Sequence, residues 1–181
     1  MMREIPNILT ITRIILIPIL VISFYIENSF AHYTVVLIFI FASLTDFLDG
    51  FLARVWEAES RFGKMLDPIA DKLLVASTLL MMVARDIAPV LPIIVILCRE
   101  ILVSGMREYL GELRVGVSLP VSRLAKIKTA TQMIAIILLL LGNNILGINL
   151  SIVGNTVLWL SAFLTVVTGY FYFRQGLKYF K

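Results

Sequence analysis

Charge is scarce in this chain: only 15% of its 181 residues are Asp, Glu, Lys or Arg, against 60% hydrophobic residues, and the mean hydropathy is +0.96. Soluble domains keep about a quarter of their residues charged, so this composition excludes a soluble globular domain and describes a membrane protein. Cysteine is scarcer still. Cys98 stands alone inside an apolar run, which excludes an intrachain disulfide and leaves the redox compartment unconstrained. Internal repeats and low-complexity tracts are also lacking, so residues 1–181 read as a single domain. The net charge of +4 would suggest nucleic acid in a soluble chain. Here the basic residues flank apolar segments, where anionic lipid headgroups are the expected partner and nucleic acid is not.

What the chain has in abundance is apolar sequence of spanning length. A helix crosses the hydrocarbon core with about 20 mostly apolar residues, and six such stretches run over residues 8–26, 33–52, 68–84, 87–104, 127–146 and 152–173. Arg13 interrupts the first, and Pro89 and Pro92 crowd the start of the fourth. With both termini cytoplasmic, all but one of the 16 Lys and Arg residues fall on the inner side, Arg85 being the exception. The expected fold is therefore all-α, an integral membrane bundle of six transmembrane helices with both ends in the cytoplasm. A secretory signal ending at Ser29-Phe30-Ala31 is the competing reading of the N-terminus. Arg13 inside the apolar run argues against it, as does the odd number of spans that cleavage would leave.

The outer connections are short, at residues 27–32, 85–86 and an Asn- and Gly-rich turn at 142–147. The two long inner loops, 53–67 and 105–126, hold most of the remaining polarity, so any chemistry belongs on the cytoplasmic face.

Four aspartates gather around the first of these loops. Asp46 and Asp49 are three apart near the end of the second stretch, a spacing that puts both on one helical face. Asp67 and Asp71 are four apart where the third begins. They share a face if the helix already includes Asp67; alternatively Pro68 takes the first helical position and Asp67 is the N-cap. Four carboxylates at a membrane surface repel one another unless cations intervene. Lys64 and Lys72 offer a purely structural salt-bridge network. Divalent cations do better, and hard oxygen donors in this number suit Mg²⁺ or Mn²⁺ shared with substrate phosphates. Between the pairs, Gly50 permits close approach to the backbone, Ala53 is small, and Arg54 carries a fork matched to phosphate. Ser60 and Gly63 add a hydroxyl and a bare backbone.

Asp46, Asp49, Gly50, Ala53, Arg54, Gly63, Asp67 and Asp71 spell D-x2-D-G-x2-A-R-x8-G-x3-D-x3-D. This resembles the signature of the CDP-alcohol phosphatidyltransferases at every fixed position. The resemblance implies that Asp46, Asp49, Asp67 and Asp71 hold two divalent ions that clamp the diphosphate of a CDP-linked lipid. Asp71 would also be the catalytic base toward the attacking alcohol, and Gly50, Ala53, Arg54, Ser60 and Gly63 would line the CDP site. A homodimer is implied by the family alone.

The acceptor is addressed by other residues. Arg99-Glu100 through Ser104 to Arg107-Glu108 sets a charged stripe on an apolar helix, and Lys126-Ile-Lys128-Thr129-Ala-Thr-Gln132 opens the fifth stretch. The plain alternatives are a Glu100–Arg107 pair, with Lys126 and Lys128 as interfacial anchors. The patterns R-E-x3-S-x2-R-E and K-x-K-T-x2-Q, with Asn7, Thr10 and Arg13 near the N-terminus, look like the phosphatidylglycerophosphate synthase branch. That resemblance implies CDP-diacylglycerol and sn-glycerol 3-phosphate as substrates, in a bacterial plasma membrane with the site facing the cytoplasm. Asn7 and Thr10 would join the CDP-lipid site, while Arg13, Ser104, Arg107, Lys126, Lys128 and Thr129 would hold the acceptor phosphate. The rivals are a sister enzyme with another acceptor (phosphatidylglycerol, as in cardiolipin synthase, inositol phosphate or serine), a membrane prenyltransferase and a cation transporter. A transporter needs its carboxylates near mid-membrane, whereas these lie at inner helix ends.

Overall fold

The computed structural model describes residues 5–26, 33–45, 61–112, 123–142, 144–145 and 148–177. Six helical segments make up nearly all of it: α1 (Ile5–Ser23), α2 (Tyr33–Thr45), α3 (Arg61–Ala84), α4 (Val90–Glu112), α5 (Arg123–Leu141) and α6 (Leu150–Gly176). A two-residue hairpin, β1 (Asn144–Ile145) and β2 (Ile148–Asn149), joins the last two. The chain divides into two compact units, Met1–Arg85 and Asp86–Lys181.

In the first unit α1 packs on α3. Thr10, Arg13 and Leu20 are buried on α1 at spacings of three and seven, one side of a helix, and Phe24, just past its end, is buried four residues further on. Ala70, Leu74, Thr78 and Met82 form a buried row of i, i+4 positions on α3, and Val35, Phe39, Ala42 and Thr45, spaced four, three and three apart, form the buried side of α2. At the far end of this unit Arg85 donates through Nη2 to the Phe24 carbonyl, and its guanidinium lies 5.3 Å from the Tyr25 ring centroid. The one arginine that departs from the positive-inside pattern is thus tied to the end of α1.

In the second unit α6 packs along both α5 and α4. Helix α5 stops at Gly142, whose φ of 58° is the left-handed C-cap conformation that glycine adopts without strain. Asn149 restarts the chain as N-cap of α6, its side chain accepting from the Ser151 and Ile152 amides at 3.1 and 3.2 Å. Next to this turn, α5 and α6 meet at Gly154. A Cβ there would stand 2.8 Å from Leu139 Cγ and 3.0 Å from the Leu139 amide nitrogen. Gly154→Ala is therefore expected to destabilise the protein by about 1–3 kcal/mol through overpacking, read as a lower melting temperature in detergent.

Among the described residues two helices, Leu124–Leu141 and Leu150–Gly176, are long and apolar enough to cross a membrane, and Leu9–Ser23 and Tyr33–Thr45 are shorter apolar helices. Helices α3 and α4 have the length but carry Asp67, Asp71 and Lys72, or Arg99, Glu100 and Arg107, within it. Two expected boundaries are corrected. Helix α3 begins at Arg61, so Pro68 is an interior residue, not the first helical position. Helix α4 continues to Glu112 and α5 starts at Arg123, so much of the expected inner loop 105–126 is helical.

Candidate active site

Each unit holds a cluster of charged side chains. In the first, the Arg13 guanidinium has no exposed surface and donates through Nη1 to Asp67 Oδ1 at 3.0 Å. A buried guanidinium needs such a partner, because leaving it unpaired away from water is costly. The Asp67 side chain keeps 41% of its surface accessible, so it can meet a ligand while bonded to Arg13. Since α3 already includes Asp67, this residue is no N-cap. Gly63, Asp67 and Asp71 succeed one another at one-turn intervals along the same side of α3. Thr10 is buried three residues before Arg13. Asp46, Asp49, Gly50, Ala53, Arg54 and Ser60 lie outside the described residues, as does the side chain of Asn7. Among the described residues no group of three or more His, Cys, Asp or Glu side chains gathers. One carboxylate pair of the expected two is therefore in view.

The second cluster joins all three helices of its unit. Glu100 on α4 accepts from Arg99 Nη1 at 3.1 Å and from Lys128 Nζ on α5. Arg99 also reaches α6, donating through Nη2 to Thr168 Oγ1 at 3.1 Å. Two turns further along α4, Arg107 donates through Nη2 to the Tyr172 hydroxyl at 2.9 Å. Both guanidinium groups lie against the Tyr172 ring, 5.6 Å from its centroid for Arg99 and 4.9 Å for Arg107, within cation–π range. Gln132, one turn beyond Lys128, is buried, and its Oε1 has no partner among the described residues.

The alternative Glu100–Arg107 pair does not form: Glu100 faces Arg99 and Lys128, and Arg107 faces Tyr172. Lys128 is 4% exposed and ion-paired, which does not suit an interfacial anchor. The K-x-K-T-x2-Q segment divides by side. Lys128 and Gln132 point inward, while Lys126 and Thr129 are exposed and the Thr129 hydroxyl donates to the Ala125 carbonyl at 3.1 Å. Ser104 is half-buried on α4.

A family model described as CDP-alcohol phosphatidyltransferase matches residues 3–167. The chain belongs to the CDP-alcohol phosphatidyltransferase family. It is 51% identical to a protein of Rickettsia typhi over 99% of this chain and 100% of the relative, and 50% identical to one of Rickettsia felis over 98% of each. A third relative, from Escherichia coli K12, is 42% identical over 80% of this chain and 81% of its own length. All three are named CDP-diacylglycerol--glycerol-3-phosphate 3-phosphatidyltransferase.

Within this CDP-alcohol phosphatidyltransferase, two residues of the second cluster, Thr168 and Tyr172, are not among the site residues expected from the sequence. Thr168 and Tyr172 lie just past the matched residues, inside an apolar run. The available signal was chemical: a tyrosine hydroxyl within an apolar run needs a hydrogen-bond partner when it is buried.

Proposed function

We propose that this chain transfers the phosphatidyl group of CDP-diacylglycerol to sn-glycerol 3-phosphate, forming phosphatidylglycerol phosphate and releasing CMP. The observation that carries this reading is 50–51% identity, over essentially the full length, to relatives named for that reaction. In it residues 1–181 act as one catalytic domain of six spans, with both termini and the reacting groups on the cytoplasmic side of a bacterial plasma membrane. The distribution of Lys and Arg supports that topology, and the family resemblance supports a homodimer.

The first cluster serves the donor lipid. Accessible, hard carboxylate oxygens at Asp67 and Asp71 fit Mg²⁺ or Mn²⁺, and Asp46, Asp49, Asp67 and Asp71 would hold two such ions. When bound, they neutralise the diphosphate and stabilise the entering and leaving oxygens of phosphoryl transfer. Arg13, expected from the sequence among the acceptor-phosphate contacts, has no exposed surface and bonds Asp67, which favours a role in orienting that carboxylate. Asn7, Thr10, Gly50, Ala53, Arg54, Ser60 and Gly63 line the CDP-lipid site. Asp71 accepts the proton of the acceptor hydroxyl. The acceptor oxygen then forms a bond to the lipid-linked phosphorus, and the bond from that phosphorus to the CMP oxygen breaks.

The second cluster serves the acceptor. Arg99, Arg107 and Lys128 set against Glu100 leave two positive charges among residues joined by these contacts, matching a phosphate dianion. No carboxylate pairs with Arg107 among the described residues, so its exposed fork is available to phosphate oxygens. Lys126, Ser104 and Thr129 are further contacts at this end. A lipid acceptor such as phosphatidylglycerol would need less fixed positive charge. Arg107→Ala is expected to raise the KM for glycerol 3-phosphate about 10- to 100-fold while moving the KM for CDP-diacylglycerol about twofold or less. The check is steady-state kinetics with labelled glycerol 3-phosphate followed into lipid product; equal rises in both KM values would contradict the assignment.

A further inference from the structure

We infer that Thr168, Gly169 and Tyr172 of α6 form a positioning surface that sets the two α4 arginines, Arg99 and Arg107, for an incoming phosphate dianion. The inference rests on the acceptor reading above and adds to it a third helix that touches no reacting atom.

Each of the three residues meets an α4 arginine in its own way. Thr168 donates its hydroxyl proton to the Leu164 carbonyl at 2.8 Å, which turns a lone pair toward Arg99 Nη2 at 3.1 Å. Gly169 lets the Arg99 stem lie against the α6 backbone: a Cβ at this position would stand 3.0 Å from Arg99 Cγ and 3.4 Å from Nε. Tyr172 is 4% exposed, its hydroxyl accepts from Arg107 Nη2 at 2.9 Å, and its ring faces both guanidinium groups. Thr168 and Tyr172 are one turn apart on the same side of α6, whereas Arg99 and Arg107 are two turns apart on α4. One face of α6 thus receives both arginines.

Physical need accounts for the arrangement. Two guanidinium groups directed at one ring repel each other, and arginine side chains have many rotamers to lose. A phosphate recognised by such forks binds tightly only when the forks are already aimed, because ordering them at the moment of binding weakens affinity. Glu100 already offsets part of the charge at Arg99; the neutral oxygens of threonine and tyrosine aim the forks without cancelling any more of it. A carboxylate in either place would hold them as well but would remove the attraction for phosphate. The apolar setting strengthens each of these hydrogen bonds.

The test is steady-state kinetics of the full-length protein in detergent, with glycerol 3-phosphate and CDP-diacylglycerol each varied at saturating levels of the other. Tyr172→Phe keeps the ring and loses the hydroxyl, and is expected to raise the KM for glycerol 3-phosphate about 5- to 10-fold. Tyr172→Leu, which loses the ring as well, should raise it on the order of 50-fold. In both, the KM for CDP-diacylglycerol and kcat should stay within about twofold of wild type. Thr168→Val should raise the acceptor KM about threefold, and Thr168→Ser, which restores the oxygen, should return it to the wild-type value. These isosteric changes supply the reading if Tyr172→Leu does not fold. Unchanged KM values in both Tyr172→Phe and Thr168→Val, or equal rises for the two substrates, would overturn the inference. If Arg107→Ala shifts the acceptor KM selectively while these variants do not, only the positioning role falls. If the wild-type protein releases no CMP in response to glycerol 3-phosphate, the acceptor reading and this inference fall together.

Discussion

Replacing Asp71 by asparagine is expected to lower kcat about 10²- to 10⁴-fold, the range typical for loss of a general base. The amide is close to isosteric with the carboxylate and keeps one oxygen for a cation, so α3 should pack as before, with Asp71 half-buried one turn beyond Asp67. What the amide cannot do is accept the proton of the attacking hydroxyl. The KM for CDP-diacylglycerol should therefore rise by about tenfold at most, and additional Mn²⁺ should not restore turnover. Recovery at high Mn²⁺ would show that Asp71 serves only as a ligand, and full activity without added metal would remove it from the chemistry. Single-turnover CMP release at several Mn²⁺ concentrations makes the distinction.

The second large effect concerns stability. Arg13→Met fills a similar volume with an apolar chain but removes the only charge on α1 among its described side chains, one that has no exposed surface and bonds Asp67 at 3.0 Å. Breaking a buried ion pair by deleting one partner costs about 3–5 kcal/mol. Asp67 is 41% exposed and recovers part of its hydration, so roughly 2–3 kcal/mol is expected here. For a chain of this size that corresponds to a melting temperature lower by about 5–10 °C. Arg13→Lys, which keeps the charge and loses the fork, should fall between. Combining Arg13→Met with Asp67→Asn should cost less than the sum of the separate changes, since they remove the same interaction. A melting temperature for Arg13→Met equal to that of wild type would show that the pair contributes nothing to the fold.

The elements that the sequence made legible are those governed by local pattern. Helices α5 and α6 were visible as apolar stretches of spanning length, because hydropathy alone decides them. The beginning of α3 was not. Proline ordinarily opens a helix, and Pro68 sits where an opening looked natural. In the structure the helix runs through it, although proline has no N–H to donate to the Lys64 carbonyl. Just before it, Asp67 is held by a residue 54 positions away. Likewise, polarity after Ser104 suggested a loop, yet α4 continues because Met106 packs at Gly176 and Leu110 is buried.

A similar division applies to the site. The aspartate signature is a matter of fixed spacing and could be read directly, and the basic residues of α4 and α5 announce themselves by being charged on apolar helices. Their partners could not be read. That Glu100 serves Lys128 and Arg99, leaving Arg107 to Tyr172, is a consequence of which helix lies beside which. Residues such as Thr168 and Tyr172 look like ordinary helix filling until the neighbouring helix delivers a guanidinium to each.

The central claim is that this chain moves a phosphatidyl group from a CDP-linked lipid to a phosphorylated glycerol. The most direct measurement is CMP release by the full-length protein in detergent, given CDP-diacylglycerol, Mg²⁺ or Mn²⁺, and in separate reactions glycerol 3-phosphate, phosphatidylglycerol, inositol phosphate or serine. The prediction is CMP release with glycerol 3-phosphate alone, matched mole for mole by phosphatidylglycerol phosphate. Release with phosphatidylglycerol and not with glycerol 3-phosphate would contradict the acceptor assignment, and release with none of the four would contradict the claim itself.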